Sequence, residues 1–246
     1  MVRADALLVA KGLAPSRTAA HRLVEAGRVS WLGKPVAKPA QELPPDAELR
    51  VAESEEDRYV SRGGLTLAGA LAHTGFDVRG CVCLDVGQST GGFTDCLLQA
   101  GAARVVGVDG GRDQLHPRLR GDACVTCLEG INARNLAKAP LPERRFDLIV
   151  ADVSFISLTL VLPELPPLLH NAGDMLLLVK PQFEVGAAHI GKGGIVRNPA
   201  LYGQVEAKLR AAAAECRLAV QDWFDSPIAG GDGNREFFLW LKHDEA

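Results

Sequence analysis

The most constraining stretch of the chain is Cys81-Val-Cys-Leu-Asp-Val-Gly-Gln-Ser-Thr-Gly-Gly-Phe-Thr-Asp95. A short apolar run closes on Asp85, a small flexible loop follows over residues 87–92, and a helical pattern begins. Strand, glycine-rich turn and helix in that order make a nucleotide-sized crevice at the carboxyl end of a strand. The loop has no Lys to grip phosphates and lacks the Gly-x-Gly-x-x-Gly spacing of a pyrophosphate cradle. About 20 residues on, the spacing of a βαβ unit, Arg104-Val-Val-Gly-Val-Asp109 is a second apolar run ending in an acid. A carboxylate there accepts hydrogen bonds from both hydroxyls of an adenosine ribose. The expected ligand carries a nucleoside and an amino-acid tail, as S-adenosylmethionine does. The residues expected to hold it are Asp85, Gly87, Ser89, Thr90, Gly91, Gly92 and Asp109, joined by Asp152 from a later strand end.

Apolar strands recur over 81–86, 104–108, 124–128, 146–150 and 175–179, with helical or irregular segments between them. This alternation predicts an α/β domain over 61–246: a mostly parallel, Rossmann-like sheet covered on both faces. It opens with a helix over 61–74. A helix over 199–216 and two closing strands over 218–224 and 236–241, read as an antiparallel edge pair, complete it. Ahead of it, residues 1–51 read as a small α+β module. A helix over 4–11 stops at Gly12, and a second over 17–26 is capped by Ser16 and ended by Gly27. Strands follow over 28–31, 34–38 and 48–51, with a tight turn at Leu32-Gly33. The acidic run 53–57 lies in an expected linker over 52–60.

Charge is distributed unevenly. The chain has 27 Lys and Arg against 30 Asp and Glu, a net charge of -3, which argues against wholesale coating of nucleic acid. The first 50 residues nevertheless hold eight basic and five acidic residues. Arg17, His21 and Arg22 share one broad face of the second helix, and Arg3, Lys11, Arg28, Lys34 and Lys38 can add to it. Clustered cations bind phosphates, so this face is the expected RNA-binding surface; a solvated helix face is the competing reading. No apolar run approaches the ~18 residues that span a bilayer. The first residues lack a signal peptide's apolar region, and a cytoplasmic protein without a membrane partner is expected. The six cysteines fall mostly within apolar strand patterns and read as reduced thiols. Cys124-x-x-Cys127 lacks a second ligand pair, so no metal is expected.

In such a sheet function collects at the carboxyl ends of strands. Those ends are Asp85, Asp109, Glu129, Asp152 and Lys180, and the last strand begins beside Glu236. Asp152, Lys180 and Glu236 are therefore the candidate catalytic group. A Lys between carboxylates and an apolar floor can act as a base, burial and the acids pulling its pKa in opposite directions. Glu129, Asn132 and Arg134 are candidates for the adenine or acceptor side. Gly191-Lys-Gly-Gly194 reads either as a mobile loop over the site or as a structural turn.

These motifs resemble the TlyA-type family of ribosomal RNA ribose methyltransferases, also labelled hemolysin-like. The front resembles a small S4-like RNA-binding domain in Leu7-Leu-Val-Ala-Lys-Gly-Leu13, Ser16-Arg17 and Glu25-Ala-Gly-Arg28. The body resembles the FtsJ-like methyltransferase fold in Tyr59-Val-Ser-Arg-Gly-Gly64, 85–95, Asp152-Val-Ser-Phe-Ile-Ser157, Lys180-Pro-Gln-Phe-Glu184, Gly191–Val196 and 226–236. The resemblance implies a seven-stranded sheet, S-adenosylmethionine as donor, and methyl transfer to a ribose 2′-hydroxyl of ribosomal RNA, with ribosomal subunits as partners. It also implies a Lys-Asp-Lys-Glu tetrad. Asp152, Lys180 and Glu236 match its last three members, and Thr66 stands where the first Lys belongs. Lys180 is then the general base, Asp152 its orienting partner, and Glu236 the group that holds the lysine network. The sulfur leaves as a neutral thioether, so the transfer requires no metal. Thr66 supplies no positive charge, which leaves a second reading open: a donor-binding, RNA-binding protein with little or no transferase activity. The hemolysin label finds no spanning helix and no series of alternating barrel strands in the sequence.

Overall fold

The computed structural model describes residues 1–52, 54–230 and 233–244. Glu53 of the expected linker, Gly231 and Asp232 of the motif over 226–236, and the terminal Glu245 and Ala246 lie outside these. Met1–Asp57 and Arg58–Ala246 form two compact units.

In the first unit β1 (Val2–Arg3) runs into α1 (Ala4–Ala10), and α2 (Arg17–Glu25) follows. The Ser16 hydroxyl accepts the Ala19 amide at 3.2 Å and caps α2. β2 (Val29–Trp31) and β3 (Lys34–Pro35) pair antiparallel. Leu32 and Gly33 join them at φ of 50° and 75°, the positive pair that a two-residue hairpin turn requires. β4 (Glu42–Leu43) pairs with β1, and β5 (Leu49–Val51) pairs with β2. Leu7, Leu8, Val24, Val29 and Leu49 meet in one small core.

The second unit begins with α3 (Gly63–Thr74), β6 (Val82–Val86) and α4 (Gly92–Gln99). β7 (Arg104–Asp109), α5 (Pro117–Arg120), β8 (Val125–Glu129) and β9 (Phe146–Ala151) follow. β10 (Leu169–Val179), α6 (Ala200–Glu215), β11 (Leu218–Asp225) and β12 (Phe237–His243) complete it. The strands form one seven-stranded sheet in the order β11-β12-β10-β9-β6-β7-β8. β12 is antiparallel to both neighbours and lies inside the sheet, so only β11 of the closing pair is an edge strand. β10 starts earlier than the apolar pattern suggests, and its register against β9 shifts between Leu169 and Asp174. Between β9 and β10, Leu158–Leu160, Leu162–Glu164 and Pro166–Leu168 are short 3₁₀ turns. Pro163, Pro166 and Pro167 withhold the amide hydrogens that a continuous helix would need there.

Strand alternation sorts the core into two layers. Leu84, Ile149, Met175, Leu177 and Leu239 pack on one face with Val205 and Leu209 of α6. Cys83, Leu148, Val150, Leu176, Leu178 and Phe238 pack on the other with Leu67 and Ala70 of α3 and Phe93 and Leu97 of α4. Continuing the same alternation past the strand ends assigns Asp152, Lys180 and Glu236 to the α3 side of the sheet.

Candidate active site

A cleft of about 740 Å³ opens at the carboxyl ends of β6, β7, β8 and β9. Gly87, Ser89, Asp109, Asn132, Arg134 and Asp152 are among its walls. A smaller cavity of about 170 Å³ is lined by Ser61, Gly63, Thr90 and Gly92, and shares Gly87, Ser89 and Asp152 with the cleft. The floor is shaped by absent side chains. At φ 86°, Gly87 lies so close to β9 that a Cβ would stand 2.3 Å from the Asp152 carbonyl oxygen. A Cβ at Gly92 would meet the Ser61 hydroxyl at 2.2 Å.

Asp109 accepts the Ser89 amide at 2.7 Å through one oxygen and the Gly111 amide at 2.6 Å through the other. These bonds fix the carboxylate at the cleft wall, and each oxygen keeps a lone pair for a further donor. Ser89 itself is held at φ 48°, a conformation that costs an ordinary residue energy.

Asp85 and Gly91 stand apart from the other residues expected to hold the donor. Neither lines the cleft or the smaller cavity. Alternation turns Asp85 inward toward α4, where it is fully buried and accepts the Thr94 hydroxyl at 2.6 Å. Burial pushes its carboxyl up to about 7, against the pull of the Thr94 hydrogen bond and with a further push from Asp152. Gly91 gives its space to Leu119 and Leu115, which a Cβ would meet at 2.4 and 2.7 Å.

At the end of β10 the Lys180 ammonium pairs with Asp152 Oδ1 and donates to the Ser154 hydroxyl at 3.0 Å. The Lys180 side chain is 14% exposed and that of Asp152 28%. Val179 pairs with Phe237, so one more residue of the same register sets Lys180 opposite Glu236, which is buried. Thr66 is also buried, and its hydroxyl donates back to the Arg62 carbonyl at 3.3 Å inside α3. Among the residues expected on the adenine or acceptor side, Asn132 and Arg134 line the cleft, while Glu129 accepts the Asp113 amide at 2.8 Å and Arg120 at 3.2 Å.

Three further residues shape this mouth. Phe155 is 91% exposed at φ 62° and tilts against Phe183 with ring centroids 5.1 Å apart. Ser154 bonds Lys180, as described. Glu184 is enclosed and holds the other end of the loop: it accepts the Ser157 hydroxyl at 2.6 Å, the Leu158 amide at 2.7 Å and the Lys208 ammonium at 2.7 Å. Their motifs are visible in the sequence, but their roles depend on the loop's fold. Residues 190 and 196 form a bridge that closes the glycine loop, and Asn234 ties it down through the Val196 amide and the Gly194 carbonyl.

In the first unit Arg3, Arg17 and His21 converge on one carboxylate, Asp5. Arg28 pairs with Asp57 and with the Ala52 carbonyl. Lys11, Arg22, Lys34 and Lys38 are exposed. Among the described residues no group of His, Cys, Asp and Glu could hold a metal ion. Burial pushes the Cys83 thiol up and that of Cys96 up to about 12, which keeps both protonated and unreactive.

A seven-stranded α/β sheet with an antiparallel penultimate strand, and a glycine-floored cleft at its carboxyl edge, define a Rossmann-like methyltransferase fold. Residues 59–243 match the FtsJ-like methyltransferase family and residues 2–49 match the S4 domain. The chain belongs to the FtsJ-like methyltransferase family and carries an S4 domain ahead of the catalytic fold. It is similar to the 16S/23S rRNA (cytidine-2'-O)-methyltransferase TlyA of Mycobacterium tuberculosis, 45% identical over 246 residues, which cover 98% of this chain and 89% of that protein. It is also similar to Hemolysin A of Brachyspira hyodysenteriae, 35% identical over 236 residues, covering 96% of this chain and 98% of that protein. A solved structure of a hemolysin-named protein from Streptococcus thermophilus has a TM-score of 0.78 and 40% identity, and covers 100% of this chain and 89% of that one.

Proposed function

We propose that the protein transfers a methyl group from S-adenosylmethionine to a ribose 2′-hydroxyl of ribosomal RNA, acting on ribosomal subunits in the cytoplasm. The observation that carries this reading is the Lys180–Asp152 pair at the mouth of the glycine-floored cleft.

The cleft suits that donor. Gly87, Gly110, Gly111 and Gly130 line the cleft without side chains, and Asp109 is placed for ribose hydroxyls. Asp152 brings negative charge where a positively charged sulfur would sit. When bound, the donor supplies an electrophilic methyl carbon on that sulfur. Asp152 and Ser154 hold the Lys180 nitrogen in place, and in its neutral form that nitrogen takes the proton of the attacking hydroxyl. Glu236, opposite Lys180 in register, steadies the amine from the neighbouring strand. Phe155 offers its exposed ring as a surface on which an unstacked base rests. Much of the acceleration comes from holding the hydroxyl and the methyl carbon in line.

One observation favours a second reading, an RNA-binding protein that holds the donor without transferring its methyl group. Thr66 brings no charge, and its hydroxyl is occupied by the Arg62 carbonyl. Incubating the protein with labelled donor and unmethylated ribosomal subunits separates the two. Label in ribosomal RNA supports the enzyme; donor binding with no transfer to any ribosomal RNA supports the second reading. Thr66→Lys raises the rate if the remaining three members keep the family arrangement. Membrane lysis, which the hemolysin names suggest, has no spanning helix to work with among the described residues, and liposome leakage by the purified protein tests it.

A further inference from the structure

The first unit contains an acid where its expected partner would favour only cations. Asp5, in the first turn of α1, has no exposed side-chain surface, yet the three side chains around it, Arg3, Arg17 and His21, remain 45%, 60% and 43% exposed. Enclosing a carboxylate is costly unless it is fully hydrogen-bonded. Asp5 is supplied from all sides. Its Oδ1 accepts Arg3 Nε at 3.1 Å and the Ala6 amide at 2.7 Å. Its Oδ2 accepts Arg3 Nη2 at 2.8 Å and Arg17 Nη2 at 2.9 Å, and meets His21 Nε2 at 2.8 Å. The Arg3 guanidinium above all holds the carboxyl well below the ordinary range; burial opposes it, and Arg17, His21 and the Ala6 amide reinforce it.

The three donor side chains come from different places in the fold. Arg3 ends β1, Arg17 opens α2 directly after its Ser16 cap, and His21 lies one turn further along α2. All three touch the same oxygen, so their heads lie within two hydrogen-bond lengths of one another. Asp5 uses Nε and Nη2 of Arg3 and Nη2 of Arg17, and the Nη1 groups of both have no protein partner among the described residues. Arg3 is thus held through two nitrogens and Arg17 through one by an acid that solvent does not reach, and both side chains keep exposed surface. Planar guanidinium forks bind phosphate oxygens with geometric selectivity that a loose ammonium lacks.

We propose that Asp5 is a positioning residue for RNA binding: it gathers Arg3, Arg17 and His21 into one backbone-phosphate site, so that RNA affinity depends on a negative charge. The proposal rests on the RNA-binding reading above and adds to it the group that organises the contact. Charge counting alone makes the opposite forecast. Asp5→Asn removes a negative charge beside two guanidinium groups, which would tighten binding and steepen its salt dependence.

The test measures binding of the full-length protein to a ribosomal RNA transcript over a range of salt concentrations. Asp5→Asn is expected to weaken binding about 10-fold, the scale of losing a braced charge-assisted contact, and to flatten the salt dependence. Arg17→Lys, at an exposed position that keeps its charge, is expected to weaken binding several-fold in the wild-type background. It should add little once Asp5 is Asn, because the two changes disrupt one unit. Amide exchange over residues 4–25 shows whether α1 and α2 survive in Asp5→Asn. If they do not, Arg17→Lys and Arg3→Lys carry the test, and both must weaken binding. Asp5→Asn with intact helices, tighter binding and a steeper salt dependence overturns the role given to Asp5. Lysine variants that bind like wild type overturn it equally. Wild-type protein that does not bind the transcript overturns the RNA-binding reading itself.

Discussion

Asp5 in the first unit and Asp152 in the second are both acids paired with cations, and they differ in which partner is enclosed. Around Asp5 the acid is enclosed and the cations face solvent; beside the cleft it is the Lys180 amine that is the more enclosed partner. The first arrangement displays positive charge and suits a polyanion. The second shelters an amine next to negative charge and suits proton transfer. A net charge of -3 over the chain hides this division. On the reading proposed above, phosphate binding lies in the first unit and proton transfer in the second, and changes at the Lys180–Asp152 pair should leave RNA binding in place.

Lys180→Ala should break that symmetry most sharply. Methyl transfer is expected to fall by about 10²–10⁴-fold, the usual worth of a positioned base, while filter binding of RNA stays at the wild-type level. A parallel loss of RNA binding would mean that the two functions share residues. Gly87→Ala comes next. Its Cβ would stand 2.3 Å from the Asp152 carbonyl oxygen at a backbone conformation that favours glycine. Donor affinity by calorimetry should drop about 10-fold or more, the scale of ~1–2 kcal/mol of strain, again with RNA binding intact.

Glu184→Gln probes an enclosed carboxylate that positions a loop as Asp5 positions cations. The amide cannot accept from Ser157, Leu158 and Lys208 together as the carboxylate does. The loop carrying Asp152, Ser154 and Phe155 should loosen, lowering kcat about 10-fold, the scale of one lost charged hydrogen bond. Donor binding should be unchanged, and equal losses in both would place Glu184 at the donor itself.

The smallest effect concerns Asp85, an acid with no cation paired to it among the described residues. Its carboxyl titrates at about 7 in the folded protein, against about 3.9 in an unfolded chain. Between those values the folded state binds more protons, so stability from this group is fullest at low pH and is lost as pH rises toward 7. Asp85→Asn abolishes that titration. The difference in Tm, variant minus wild type, should therefore climb between pH of about 4 and about 7 and level off above that; a flat difference would show that Asp85 titrates normally.

The sheet was legible in the sequence because each buried strand is a compact apolar run, and the cleft because its acids close those runs. Asp85 reads from the sequence as a cleft acid, and only the fold shows it enclosed against the Thr94 hydroxyl. The β1–β4 pair was not legible, since strands of two residues carry no period and their partners lie about 40 residues apart in the chain. Proline-broken turns after β9 likewise conceal their packing in an apolar run. Asp5 illustrates the deepest limit. In the sequence it subtracts from a basic patch; only the fold, by bringing β1 and α2 around it, reveals an acid that organises that patch.

If the Lys180–Asp152 mouth methylates ribose, the transferred methyl group lies on a sugar oxygen and can be located there. Unmethylated ribosomal subunits, incubated with the protein and donor, would be digested to nucleosides and read by mass spectrometry. A 2′-O-methylated nucleoside that is absent with Lys180→Ala is the expected product. A methyl group on a base, or a ribose methyl that persists with Lys180→Ala, would contradict it.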